Sequence, residues 1–93
     1  MSETLYERAT NLLEAELGEE LMAMDVASGS CFGFNSVATH IWRQLACPKS
    51  FRELSGSLIA EYEVGPEQCA EELQVLLNDL IEKRLVRLRA HGA

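Results

Sequence analysis

After Phe34 the spacing of apolar residues changes from a period of two to the ~3.6 of a helix. That switch places a run of strands directly ahead of a run of helices. Before it, Leu13, Ala15 and Leu17 alternate with Glu14 and Glu16, the pattern of a half-buried strand. Gly18-Glu19 makes a turn. Leu21 to Val26 follows as a second strand, with Met22, Met24 and Val26 on one face and Leu21, Ala23 and Asp25 on the other. Met22 and Met24 read as core filler. Ala27-Ser28-Gly29-Ser30 is a hairpin loop of small residues, and Cys31-Phe32-Gly33-Phe34 a short third strand. Further upstream, Leu5, Ala9 and Leu12 have helical spacing, so a frayed N-terminal helix competes with strand there.

After Phe34, Asn35 or Ser36 can cap a helix whose stripe is Val37, Ile41 and Leu45, with Ala38 and Trp42 beside it. Cys47-Pro48-Lys49 interrupts it. Ser50-Phe51-Arg52-Glu53 is a capping box that opens a helix with Leu54, Leu58, Ile59 and Tyr62 inward. Gly65-Pro66 starts a third helix, because proline suits the first helical position, where no donor is needed. That helix runs to about Arg84. Cys69, Leu73, Leu76 and Leu80 form its stripe, widened by Ala70, Leu77 and Ile81 on one shoulder. These positions span about 140°, more than the roughly 100° needed to face a core, so one shoulder is free to cover something else. Leu85-Val86-Arg87-Leu88 reads as a short terminal strand.

The order is that of an α+β, winged helix-turn-helix-like fold: a three-stranded antiparallel sheet followed by three helices. We expect a single domain over residues 1–93 with its core at about 12–88. The third strand is short, and if its outer side is open its backbone groups can pair with another chain.

Charge narrows the function. Fifteen acids against eight bases give a net charge of −7, which repels phosphate backbones and anionic lipid. A winged-helix regulator must bring bases to DNA through its third helix. Residues 66–84 instead hold Glu67, Glu71, Glu72, Asp79 and Glu82 against Lys83 and Arg84. The ends differ in sign. Residues 1–25 carry seven acids and Arg8, whereas residues 83–89 carry Lys83, Arg84, Arg87 and Arg89, which reads as two solvated ends or as a polarity that orients a partner.

No constellation for catalysis emerges. Cys31, Cys47 and Cys69 are odd in number and lack a CxxC pair or neighbouring histidines, so neither a disulfide framework nor a zinc site is expected. Cys31 with His40 would need a third orienting group and a pocket. Glu19-Glu20, Glu61-Glu63 and Glu71-Glu72 are carboxylate pairs, but neighbours on a helix diverge by about 100° and Glu71-Glu72 reads as a solvated face. Gly29 and Gly33 do not form a phosphate loop. No cofactor, metal or catalytic residue is expected. An acidic N-terminus without a long apolar run, and thiols without partners, point to the cytoplasm.

From Leu21 to Val86 the chain resembles the PqqD-like family, the pyrroloquinoline quinone biosynthesis chaperone and its relatives, whose fold is the precursor-peptide recognition element of ribosomal peptide pathways. The stretches that carry the likeness are Leu21–Asp25, Ser28–Asn35, Val37–Trp42, Phe51–Leu54, Ala60–Val64 and Leu80–Val86. The chain departs from the family's habit at Cys31, where an aromatic is frequent, at Phe34, often leucine, and at Arg84, commonly glycine. The resemblance implies a non-enzymatic chaperone. It would bind the leader segment of a precursor peptide and present its core to a modifying enzyme: a radical SAM maturase, a leader peptidase or a cyclase. The leader would add as a strand to Cys31, Phe32, Gly33, Phe34 and Asn35, with its apolar side chains against Ala70, Leu73, Gln74 and Leu77 of the third helix. An open strand edge beside an over-wide apolar helix is what strand addition requires. The alternatives are a winged-helix DNA-binding regulator and a small structural subunit of a larger enzyme.

Overall fold

The computed structural model describes residues 3–91, with side chains to Ala90. Its elements run β1 (Glu3–Arg8), β2 (Leu12–Leu17), β3 (Glu20–Asp25), β4 (Cys31–Phe34), α1 (Ser36–Gln44), β5 (Lys49–Ser50), α2 (Phe51–Tyr62), α3 (Pro66–Glu82) and β6 (Val86–His91). The strands form two antiparallel three-stranded sheets, ordered β2-β3-β4 and β5-β1-β6. The first is the sheet that the alternating pattern anticipates, and the three helices follow it.

The second sheet replaces the N-terminal helix that the spacing of Leu5, Ala9 and Leu12 suggested. Glu3–Arg8 pairs residue for residue with β6, Glu3 opposite His91 and Arg8 opposite Val86, and its Leu5 and Tyr6 also pair with β5. Pairing decides the matter: a helix there would leave β6 without a neighbour, whereas the strand buries Leu5, Tyr6 and Val86. The core thus reaches N-terminal of residue 12. The charge asymmetry of the two ends is used internally, since Glu7 Oε2 accepts from Arg87 Nε at 2.6 Å and its Oε1 lies 3.4 Å from Arg89 Nη1.

In the β2–β3–β4 meander the period of two holds, but the faces are the reverse of the expected ones. Glu14 lies opposite Ala23 and Glu16 opposite Leu21, and both partners are buried. Glu14 and Glu16 therefore face the helices, whereas Leu13 and Leu17 point outward, 56% and 61% exposed. Met22, opposite Gly33 and Ala15, shares this outer face and is not core filler. Polar bonds make the inversion stable. The indole Nε1–H of buried Trp42 donates to Glu14, and Arg8 pairs with Glu14 at 3.2 Å while donating to the Trp42 carbonyl at 2.6 Å and lying over the Trp42 ring. Arg43 reaches Glu16 at 3.1 Å. The β2–β3 turn is set locally by Gly18 at φ +69°, the left-handed first position that a two-residue II′ hairpin requires.

The helices sit where their caps predict. Asn35 Oδ1 accepts from the Ala38 N–H at 2.8 Å and starts α1. Ser50 and Glu53 form the reciprocal capping box of α2, at 3.1 and 2.9 Å. Pro66 stands at the start of α3. That helix ends in a Schellman motif, with Leu85 N–H donating to Leu80 O and Arg84 N–H to Ile81 O, both at 2.9 Å. The motif forces Arg84 to φ +62°. Trp42, Ile41, Leu54, Leu73, Leu77, Leu80 and Leu85 fill the centre.

Candidate functional site

β4 is the outer strand of its sheet, and its hydrogen-bond phase fixes which groups face away. The Asp25 N–H donates to Ser30 O at 2.9 Å across the hairpin. Bonded pairs alternate along an antiparallel ladder, so Ala23–Phe32 and Leu21–Phe34 are the next bonded pairs in this register. Phe32 and Phe34 thus spend their N–H and C=O groups on β3. Those of Cys31 and Gly33 point to the open edge. No residue of β4 is charged.

At Asn35, where β4 ends, begins an apolar groove of about 540 Å³, lined by Val37 of α1, Leu58 and Tyr62 of α2, Val64 of the following loop, and Leu73, Val75 and Leu76 of α3. Asn35, Glu72 and Asp79 add polar atoms to its rim. The groove exists because three caps and turns converge. Asn35 turns the chain from β4 into α1, Glu63 closes α2 in a left-handed conformation, and Pro66 restarts the chain as α3. Tyr62 leans back over the groove, its hydroxyl 3.5 Å from the Ser36 carbonyl. At the far end Lys83 Nζ bonds Asp79 at 2.8 Å and lies 5.5 Å from the centre of the Phe32 ring. Lys83, at the exit of α3, therefore lies over Phe32 of β4.

The residues expected at the site divide between two sides of α3. Cys31, Phe32, Gly33, Phe34 and Asn35 form the edge strand and its exit, and Asn35 and Leu73 line the groove. Leu77 is fully buried in the core. Gln74 is exposed and donates to Asn78 at 2.9 Å, and neither it nor Ala70 lines the groove. In a helix they lie more than about 100° from the Leu76 side. Apolar spacing reveals that α3 is wider than its core needs, but not past which shoulder β4 runs. Leu76, Glu72 and Asp79 line the groove although spacing does not single them out for it, and so do Val37 and Tyr62, which spacing assigns to the core.

The remaining chemical candidates have other partners. His40 Nε2 lies 2.7 Å from Ser57 Oγ and its ring meets Tyr62 edge-on. Cys31 and Cys47 are exposed, and Cys69 is buried against Ser55. Among the described residues, no helix is long and apolar enough to cross a membrane.

Known structures resemble this architecture. "TbiB1 in Complex with the TbiA(beta) Leader Peptide" superposes with a TM-score of 0.81 at 25% identity, covering 87% of this chain and 94% of that one. "Lasso peptide synthetase B1 complexed with the leader peptide" gives 0.76 over 88% and 96%, and at 20% identity it speaks to the fold alone. No curated protein sequence matches the chain significantly. The family model "Coenzyme PQQ synthesis protein D (PqqD)" matches residues 20–86. That span runs from β3 to the first residue of β6 and takes in the edge strand, all three helices and the whole groove, and the chain belongs to the PqqD family.

Proposed function

We propose that this chain is a non-catalytic peptide chaperone, acting in the cytoplasm as one recognition domain over residues 1–93. It binds the leader segment of a ribosomally made precursor as an added strand on β4 and presents the rest to a modifying enzyme. The observation that carries this reading is the coincidence of an uncharged open edge, with the Cys31 and Gly33 backbone groups turned outward, and an apolar groove that begins at Asn35, where that strand ends. Main-chain bonds to those two residues supply affinity, each about 0.5–1.5 kcal/mol net, and alternate side chains of the leader reach the groove and supply specificity. The likeness to a chain solved in complex with a leader peptide supports leader binding. A DNA-binding role is disfavoured by the five acids of α3 against the two bases that follow Glu82.

The test is a display library of N-terminal segments from the short reading frames of the source genome, selected on the full chain, with a random-sequence duplex DNA as counter-probe. We expect one or a few related segments to be recovered, to bind as synthetic peptides, and to lose binding when Gly33 is replaced by proline, with no duplex binding at moderate salt. Failure to recover any segment, or tight salt-sensitive duplex binding, would overturn the proposal.

A further inference from the structure

The groove is apolar along its floor but electrostatically uneven along its length. Asp79 is neutralised by Lys83 at 2.8 Å, and the same ammonium lies over the Phe32 ring, so that end carries no net charge. Glu72, at the rim beside Leu73 and Leu76, has no ion pair among the described residues. It also stands in the most acidic stretch near the groove: from Glu61 to Glu72 the chain carries Glu61, Glu63, Glu67, Glu71 and Glu72 and no base. The α3 helix has no lysine or arginine at all. A strand entering this groove meets uncompensated negative potential at the Glu72 end and a closed ion pair at the Phe32 end.

Resting on the proposed function, we infer that the bound peptide carries a lysine or arginine next to its bulky apolar anchor, held by the Glu72 carboxylate. The anchor seats on Leu58, Tyr62 and Leu76. The basic residue stands two positions away on the same face of the added strand, about 6–7 Å along, within reach of Glu72. The charge contact then fixes the register of the strand, which main-chain bonds alone leave free to slip by two residues.

The recovered segment is the probe. It is synthesised with each basic residue replaced in turn by glutamate, and each peptide is titrated against the full chain and against Glu72→Gln, Glu72→Lys and Glu71→Lys. Glu71 is exposed and lines no groove, so its replacement changes net charge equally without touching the contact. One basic residue, two positions from an apolar anchor, should lose about three- to tenfold in affinity on replacement. Glu72→Lys should reverse that preference, Glu72→Gln abolish it, and Glu71→Lys leave it in place. A segment with no base at that spacing, or equal effects of Glu72→Lys and Glu71→Lys, overturns the inference while leaving strand addition intact. Recovery of no segment removes the reading beneath it.

Discussion

β4 and β6 are both outer strands of three-stranded antiparallel sheets, and both expose backbone, yet they are built to opposite ends. β6 carries Arg87 and Arg89, with Arg87 held on Glu7 of its neighbour, and charge on an edge discourages further pairing. β4 carries Cys-Phe-Gly-Phe and no charge, and an apolar groove begins at Asn35 where it ends. Strand exposure alone therefore does not single out an edge for the proposed strand addition. What distinguishes β4 is an unguarded ladder beside a place for alternate side chains to go.

Proline in β4 should have the largest effect. Phe32→Pro or Phe34→Pro removes a donor that β3 uses and should lower the melting temperature sharply or prevent folding. Gly33→Pro removes a donor that faces outward, so the melt should stay close to that of the parent while peptide affinity falls by at least about tenfold. Calorimetric melts and polarisation titrations of the same variants separate the two sets. The shoulders of α3 give the next contrast. Leu77→Ala should cost about 2–5 kcal/mol of stability as a core cavity. Leu76→Ala should instead cost peptide affinity, about 1–2 kcal/mol, with little change in denaturant midpoint. Gln74→Ala should alter neither.

The inner face of the meander that presents β4 depends on one carboxylate. Glu14→Ala leaves the buried indole N–H of Trp42 without its acceptor and Arg8 without its partner, and chemical denaturation should register about 1–3 kcal/mol of lost stability. On the β6 side, Arg84→Gly relieves a left-handed conformation at the exit of α3 and should stabilise the fold by about 1 kcal/mol in the same measurement.

The smallest effect concerns Glu7. The Arg87 hydrogen bond holds its carboxyl below the usual carboxylate range, with the charges of Arg87 and Arg89 acting in the same direction. A group lowered on folding stabilises above its unfolded value, and that contribution is lost as pH falls through the folded value. Glu7→Gln should therefore be less stable than the parent near neutrality, and the gap should close on acidification. Thermal melts across pH 3–7 would show whether the curves converge.

Features governed by neighbours in sequence were legible: the Ser50–Glu53 box, the Asn35 cap, Pro66 at a helix start and the period change at Phe34. The edge strand was legible too, because four residues between a small-residue loop and a helix cap leave no room for another element. What spacing could not give depended on distant partners. Leu13, Ala15 and Leu17 look like an inward face until Trp42, Arg8 and Arg43 claim the glutamates between them. Glu3–Arg8 lacks a strand's identity without β6, some eighty residues on. The groove shoulder of α3 is chosen by the path of β4, which helical spacing does not encode.

Amide hydrogen exchange at β4, followed by NMR with and without the recovered peptide, reads strand addition at the backbone itself. In the free chain the Phe32 and Phe34 amides should already be protected by β3, while those of Cys31 and Gly33 exchange fast. Peptide addition should slow Cys31 and Gly33 selectively, by a factor that rises with occupancy. If the peptide binds and those two amides exchange as fast as before, it does not add as a strand to β4.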